Sequence, residues 1–325
     1  MNTTVAVVLL VAGLLILWKG ADLLVAGAVG LARQLGVSSL VVGLTVVAMG
    51  TSAPEVAASI AGALRRTGGG DIAIGNVFGS NIANLALIGG IVALIRPLQV
   101  KKKMLFREIP VMLAVALLLW PFLVDSYLTR PEGLILMAVF AALLLITVHT
   151  AKQEARRTLN EAGGADSTLK QTPPNPAKNI LFIVIGLAAL ALGAKMAVDG
   201  AVVIGARVGL SEAVIALTII AFGTSLPELM TCIVAAVKGH HDISVGNLVG
   251  SNIFNTLLVT GAATVVRPFE IESHRLAGGA DYWIMIAVSA AFAGAVIIGR
   301  LVVGRTCGVL LVCTYAGYVV YLLSV

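Results

Sequence analysis

The sequence predicts an all-α polytopic membrane protein, with ten transmembrane helices in two inverted five-helix repeats. Three observations carry that expectation: a composition too oily for a soluble surface, apolar runs long enough to cross a bilayer, and a polar motif that occurs twice. The 325 residues are 59% hydrophobic and 12% charged, against about 25% charged in an ordinary soluble domain. A soluble chain of this length could bury a large core, but it could not also cover its surface with so few charges. The apolar runs reach about 20 residues or more, enough for a hydrocarbon core of roughly 30 Å.

The first span, about 4–32, includes most of MNTTVAVVLL, which lacks the basic n-region of a signal peptide, so it is expected to be retained. The second, about 38–65, is apolar except for AMGTSAPE at its middle. The third, about 72–95, opens with DIAIGNVFGSNIAN, and spans at about 106–124 and 132–149 complete a first unit, residues 1–149, whose motifs lie within 38–95. The stretch HTAKQEARRTLNEAGGADSTLKQTPPNPAKN is polar, mixed in charge and Pro-rich at its end, so 150–178 reads as a linker, too short to hold a folded regulatory domain. Spans at about 179–206, 212–238, 243–266, 281–299 and 303–324 form the second unit, residues 179–325, with its motifs within 212–266. The first and sixth spans exceed a perpendicular crossing, and a tilt accommodates them.

The net charge of +6 acts as a topology signal. Loops after odd-numbered spans hold 14 Lys and Arg residues, and loops after even-numbered spans hold 6. The positive-inside rule then places the linker in the cytoplasm and both termini outside, in a plasma (inner) membrane. No basic stripe interleaves with aromatics, so nucleic acid is not an expected partner, and no obligate protein partner is evident. Cys232, Cys307 and Cys313 are odd in number and lie in apolar segments, so they read as buried free thiols.

The repeat is specific. GLTVVAMGTSAPE (43–55) matches ALTIIAFGTSLPE (216–228) at 8 of 13 positions, and DIAIGNVFGSNIAN (71–84) matches DISVGNLVGSNIFN (242–255) at 9 of 14. Each half carries five spans, an odd number, so the second half enters the membrane inverted. Transporters built this way place their sites near the midplane where the repeats meet. A purely structural duplication would preserve packing faces. Here the identities include Gly, Thr, Ser, Pro, Glu and Asn, residues that are costly or helix-disturbing in lipid.

These residues suit one kind of chemistry. Pro54 cannot donate to the Gly50 carbonyl and clashes with that turn, so a kink near 48–51 is expected to free carbonyls, including that of Ala48. Pro227 does the same for Gly223 and Ala221. Such carbonyls are tolerated at membrane depth only where they line an enclosed or watery cavity. Thr51 and Ser52 lie four and three residues before Glu55 on one helical face, and Thr224 and Ser225 repeat this before Glu228. Asn76, Ser80 and Asn84 recur every four residues, as do Asn247, Ser251 and Asn255. Two carboxylates with amide, hydroxyl and carbonyl oxygens suit a hard cation such as Ca²⁺ or Na⁺, and no thiolate or imidazole is present for zinc or copper.

Other polar features have structural readings. Gly75 and Gly79, and Gly246 and Gly250, are spaced for close helix approach. Lys19 with Asp22, and Lys195 with Asp199, read as self-neutralising helix pairs rather than ligands. Asp71 and Asp242 stand at span entrances, where N-caps are common. His149, His240, His241 and His274 fall at span ends or in loops, which disfavours a histidine proton relay.

At GTSAPE and GTSLPE, each followed by a GSNxxN element, the chain resembles the Ca²⁺/cation antiporter (CaCA) superfamily, in its bacterial sodium/calcium exchanger-like branch. The resemblance covers nearly the whole chain. It implies a cluster of cation sites with Thr51, Ser52, Glu55, Ser80 and Asn84 from the first repeat and Thr224, Ser225, Glu228, Ser251 and Asn255 from the second, joined by the Ala48 and Ala221 carbonyls. It also implies exchange of Na⁺ for Ca²⁺ by alternating access, with the ions as substrates and no cofactor. Some relatives carry Asp at the position of Asn255, so this site offers two acids rather than three, which argues against potassium dependence. A Ca²⁺/H⁺ antiporter, or an exchanger of another divalent cation, is the nearest alternative, and a cation channel a more distant one. An intramembrane hydrolase would need an activated nucleophile, yet Ser52 and Ser225 have no His or Lys at motif spacing.

Overall fold

The computed structural model describes residues 2–161, 176–210, 215, 219 and 221–324. Helix α1 is Thr3–Leu35. Asn2 starts it by accepting a hydrogen bond from the Val5 amide at 2.8 Å, and Gly36 ends it in the left-handed conformation (φ 64°), its amide reaching the Ala32 and Arg33 carbonyls. Helices α2 (Ser39–Thr51) and α3 (Ala53–Ala63) form one span bent by 43°. They are followed by α4 (Gly69–Ile95), α5 (Met104–Leu123) and α6 (Arg130–Glu161). The second half holds α7 (Pro176–Arg207), α8 (Ala221–Gly223), α9 (Leu226–Val237), α10 (His241–Val266), α11 (Ala280–Ile298) and α12 (Arg305–Ser324). Among the described residues, eight helices are long and apolar enough to cross a membrane, and the bent pair makes nine. The shorter apolar α9 occupies the second half of the remaining expected span, whose first half lies largely outside the described residues.

The pairing of α1 with α7 is the one that inverted repeats require. A Cβ on Gly13, Gly20 or Gly27 would stand 2.5, 2.9 or 3.0 Å from the amide nitrogens of Ala197, Leu190 and Ile183 respectively. Numbers rise on α1 as they fall on α7, so these equivalent spans run antiparallel. The glycines recur every two turns on α1, and Gly186, Gly193 and Gly200 do the same on α7, so the backbones touch with no side chain between them.

Contacts at the helix ends sort into two faces. On one, Arg96 donates to the Val237 carbonyl, Lys101 pairs with Asp242, Lys103 pairs with Glu154, and Asn179 donates to Gln34. On the other, Arg207 donates to Thr3, the Gly68 amide to Glu272, and Arg267 to the carbonyls of Leu64 and Arg65. A two-stranded antiparallel ribbon closes each face. β1 (Leu98–Gln99) pairs with β4 (Val302–Val303) on the first, and β2 (Tyr127–Leu128) with β3 (Phe269–Glu270) on the second. Each of these ties joins loops of the same parity, as a ten-span layout requires.

Several expectations need correction. The polar stretch after residue 149 begins as a helix, because α6 continues to Glu161, while residues 162–175 lie outside the described residues. Asp22 pairs with Lys238 rather than Lys19, since α1 packs against α9 and brings the two together. Lys195 and Asp199 do pair, at 3.0 Å. Asp71 and Asp242 sit inside the first turns of α4 and α10 rather than at their caps, favourable to the helix dipole, and tie to the Ser273 amide and to Lys101. Gly246 and Gly250 do admit close approach, to Leu40 and Leu44 of α2, whereas Gly75 and Gly79 have no such neighbour among the described residues. Of the three free thiols only Cys232 is buried; Cys313 is exposed because α12 lies at the periphery, where apolar side chains such as Leu310 and Val320 also face outward.

Candidate cation site

The site begins where the two motif helices stop. Ser52 takes φ −85° and ψ 10°, outside helical geometry, and α3 restarts with Pro54 in its first turn, where a missing N–H costs nothing. Ser225 takes φ −89° and ψ 4°, with Pro227 in the first turn of α9. The break therefore falls one residue beyond the stretch expected from the proline. The Ala48 carbonyl is not bare either: it accepts from the Ser52 amide at 3.1 Å, with Thr51 Oγ1 3.4 Å away, leaving it at most a shared role. In the second copy the Ser225 amide bonds the Phe222 carbonyl at 3.1 Å instead, and Ala221 opens α8.

The two repeats meet through crossed hydrogen bonds. Ser52 Oγ donates to Glu228 Oε1 at 2.9 Å, and Ser225 Oγ donates to Glu55 Oε1 at 3.5 Å. Thr51 Oγ1 donates to Asn247 Oδ1 at 3.1 Å. Asn76 Nδ2 fixes the Glu55 backbone, donating to its carbonyl at 3.2 Å and to Ser59 Oγ at 2.8 Å. Cys232 takes the place of Ser59 in the second copy, with Asn247 Nδ2 3.4 Å from its sulfur.

Burial is nearly complete. Thr51, Ser52, Glu55, Ser80, Asn84, Ser225, Glu228, Ser251 and Asn255 are all buried, and Thr224 is half-buried. Five oxygens in this set, Glu55 Oε2, Glu228 Oε2, Asn84 Oδ1, Asn255 Oδ1 and Ser251 Oγ, have no hydrogen-bond partner. Unpartnered buried polar atoms are rare, and a cluster of them marks where a polar or ionic ligand fits. Among the described residues no three His, Cys, Asp or Glu side chains group to hold a metal ion, and the acids in this set are Glu55 and Glu228.

Two features escaped sequence reasoning. Asn84 lies in a π-helical turn, Ala83–Ile88, and Asn255 opens another, Asn255–Val259; α3 packs against the second and α9 against the first, again crosswise between repeats. Such turns carry no residue signature, though they gather at functional sites. The other is a buried bridge: Asn81 Nδ2 donates to Thr256 Oγ1 at 2.9 Å, and Thr256 donates to the Asn252 carbonyl at 2.8 Å. Asn81 and Asn252 are identical in both repeats, so that signal was on the page.

A cavity of about 630 Å³ reaches this cluster from one flank, walled by Leu187–Asp199 of α7 on one side and by Thr51, Pro54, Thr224 and Pro227 on the other. Leu17, Leu24 and Val25 of α1 pack in one apolar cluster with Val47, Val234 and the α7 residues Ile183, Leu190 and Ala197.

Broken antiparallel helices that bury two carboxylates among neutral oxygens define a multi-pass transporter of hard cations rather than an enzyme. The chain matches the family described as sodium/calcium exchanger protein over residues 5–149 and 178–324, and it belongs to that family. It is 40% identical to inner membrane protein YrbG of Escherichia coli over 89% of this chain and 87% of that one. It is 33% identical to sodium/calcium exchanger MaX1 of Methanosarcina acetivorans over 88% and 89%. Among solved structures, the sodium-calcium exchanger NCX_Mj soaked with zero Na⁺ and Ca²⁺ superposes with a TM-score of 0.82 at 28% identity, covering 99% of this chain and all of that one. The chain is thus a membrane cation antiporter of the CaCA superfamily.

Proposed function

We propose that the chain exchanges Na⁺ for Ca²⁺ at the Glu55–Glu228 cluster by alternating access, in a plasma (inner) membrane with the linker cytoplasmic. The observation that carries this reading is the group of five unpartnered buried oxygens shared between the two repeats. The ligands are Glu55, Glu228, Asn84, Asn255 and Ser251, with Thr51, Ser52, Ser80, Thr224 and Ser225 beside them and the Ala221 carbonyl in a supporting role. Membership of the family and the names of MaX1 and NCX_Mj support the ion pair. YrbG supports the membrane.

Charge supplies the coupling. Two unit charges at about 4 Å and an effective dielectric of ~20 repel by about 4 kcal/mol, the scale of the penalty for two ionised carboxylates in contact. One Ca²⁺ neutralises both, as do two Na⁺, so the ions compete. An unloaded cluster keeps its repulsion and resists occlusion, which favours exchange over leak. The α1–α7 pair moves as a unit because its glycine faces hold it backbone to backbone, exposing the cluster along α7 in one state and along α1 in the other.

The test is a gradient swap in sealed vesicles containing the purified protein. An imposed Na⁺ gradient drives radiocalcium uptake, and Glu55→Gln abolishes it. Uptake driven by a pH gradient alone would assign Ca²⁺/H⁺ exchange instead, and uptake needing no counter-ion would assign a channel.

A further inference from the structure

The cavity beside α7 is almost wholly apolar, and among the described residues its only polar side chains are Thr51, Thr224, Lys195 and Asp199. The threonines adjoin the serines that bond the glutamates. Among the described residues Lys195 and Asp199 form the only charged group in the wall, with Lys195 Nζ 3.0 Å from Asp199 Oδ2 and side chains 73% and 52% exposed. They stand on the Arg207 side of Leu187 and Leu190, flanking Val198, which packs against Gly223 beside Thr224.

A role in helix stability explains the pair poorly. Lys preceding Asp at four residues is the less favourable order for a helical ion pair. Charges at this depth are costly and concentrate on ion pathways. The pair is also not part of what the duplication preserves. In the register that aligns Glu55 with Glu228, α1 has Asp22 and Ala26 at the corresponding positions, and Asp22 is engaged by Lys238. Of the two equivalent helices, only α7, which lines the cavity, has it.

We propose that Lys195 and Asp199 form an electrostatic filter on the approach to the cluster, setting how strongly divalent cations are favoured over monovalent ones. Asp199 is the station that attracts the cation, and Lys195 caps it, so the pair attracts without trapping. An approaching divalent ion feels twice the field that a monovalent ion feels. By Coulomb's law in water at ~10 Å, removing one unit of charge changes local occupancy about two-fold for Na⁺ and about four-fold for Ca²⁺.

The inference rests on the exchange reading above, and the experiment separates the two. Initial rates of Na⁺-driven radiocalcium uptake in vesicles give KM and Vmax for each ion from the Arg207 face. Lys195→Gln lowers the Ca²⁺ KM about four-fold and the Na⁺ KM about two-fold, and Asp199→Asn raises them by the same factors. Vmax stays within two-fold. The effect collapses in ~1 M choline chloride, where screening is complete within about 3 Å. The charge-swapped Lys195→Asp/Asp199→Lys protein, which keeps the pair and stays informative if a single variant misfolds, returns both KM values to the parent's. Equal KM values in parent and single variants, or a fall in Vmax with KM unmoved, would overturn the filter while leaving exchange intact. Absence of Na⁺-driven uptake in the parent protein removes the exchange reading and the filter with it.

Discussion

At the residue scale the two glutamates are alike in sequence and unlike in setting. Ser52 bonds Glu228 at 2.9 Å, whereas Ser225 reaches Glu55 only at 3.5 Å, the edge of hydrogen-bond range. Hydrogen bonds to charged groups contribute about 1.5–3 kcal/mol. Ser52→Ala is therefore expected to weaken Ca²⁺ affinity at least ten-fold, and Ser225→Ala by less, as read by calorimetric titration in detergent. Asn255 offers the complementary test. Asn255→Asp adds a third carboxylate to a buried cluster, so the account expects tighter Ca²⁺ binding by about ten-fold and slower release, measured by the same titration and by exchange rate. The ligand types were legible because Thr, Ser, Asn and Glu are costly in lipid and were duplicated. The Ala48 carbonyl was misjudged because Pro54 orphans only the Gly50 carbonyl, four residues back, while Ala48 keeps an ordinary helical bond from the Ser52 amide.

At the element scale, the α1–α7 contact bears on motion. Its glycines leave no room for a side chain: a Cβ on Gly20 would stand 2.9 Å from the Gly186 carbonyl oxygen, and one on Gly193 2.8 Å from that of Gly13. Overpacking a tight interface costs roughly 1–3 kcal/mol. Gly20→Leu is expected to lower thermal stability in detergent and to slow exchange, whereas Gly294→Leu, at a glycine with no neighbour within 4 Å, leaves both unaltered. The length of the apolar runs marked these helices as spans, but it could not separate the glycines that face a partner from those that face lipid. The helical start of the linker was hidden for a related reason: its polar, charged residues favour a helix in water as readily as a loop.

At the scale of the whole molecule, the inverted plan rests on agreement between independent contacts. The ion pairs, the two ribbons and the antiparallel glycine faces all join segments of matching parity. That plan was readable from an odd number of spans per motif copy. The asymmetry was not, because a duplicated sequence cannot say where a cavity opens, and packing decides it: the cavity lies along α7, beside Thr51 and Thr224. The two-faced topology has its own check. In a background lacking native cysteines, Lys102→Cys is expected to react with an impermeant thiol reagent only from the cytoplasm, and Glu272→Cys only from outside.

The central claim, that cations compete for one cluster built on Glu55 and Glu228, is tested most directly by counter-flow in vesicles loaded with Na⁺. Radiocalcium is expected to accumulate against its gradient until Na⁺ is dissipated, and the Glu55→Gln/Glu228→Gln protein is expected to accumulate none. Sodium-driven accumulation that survives the double substitution would contradict the account.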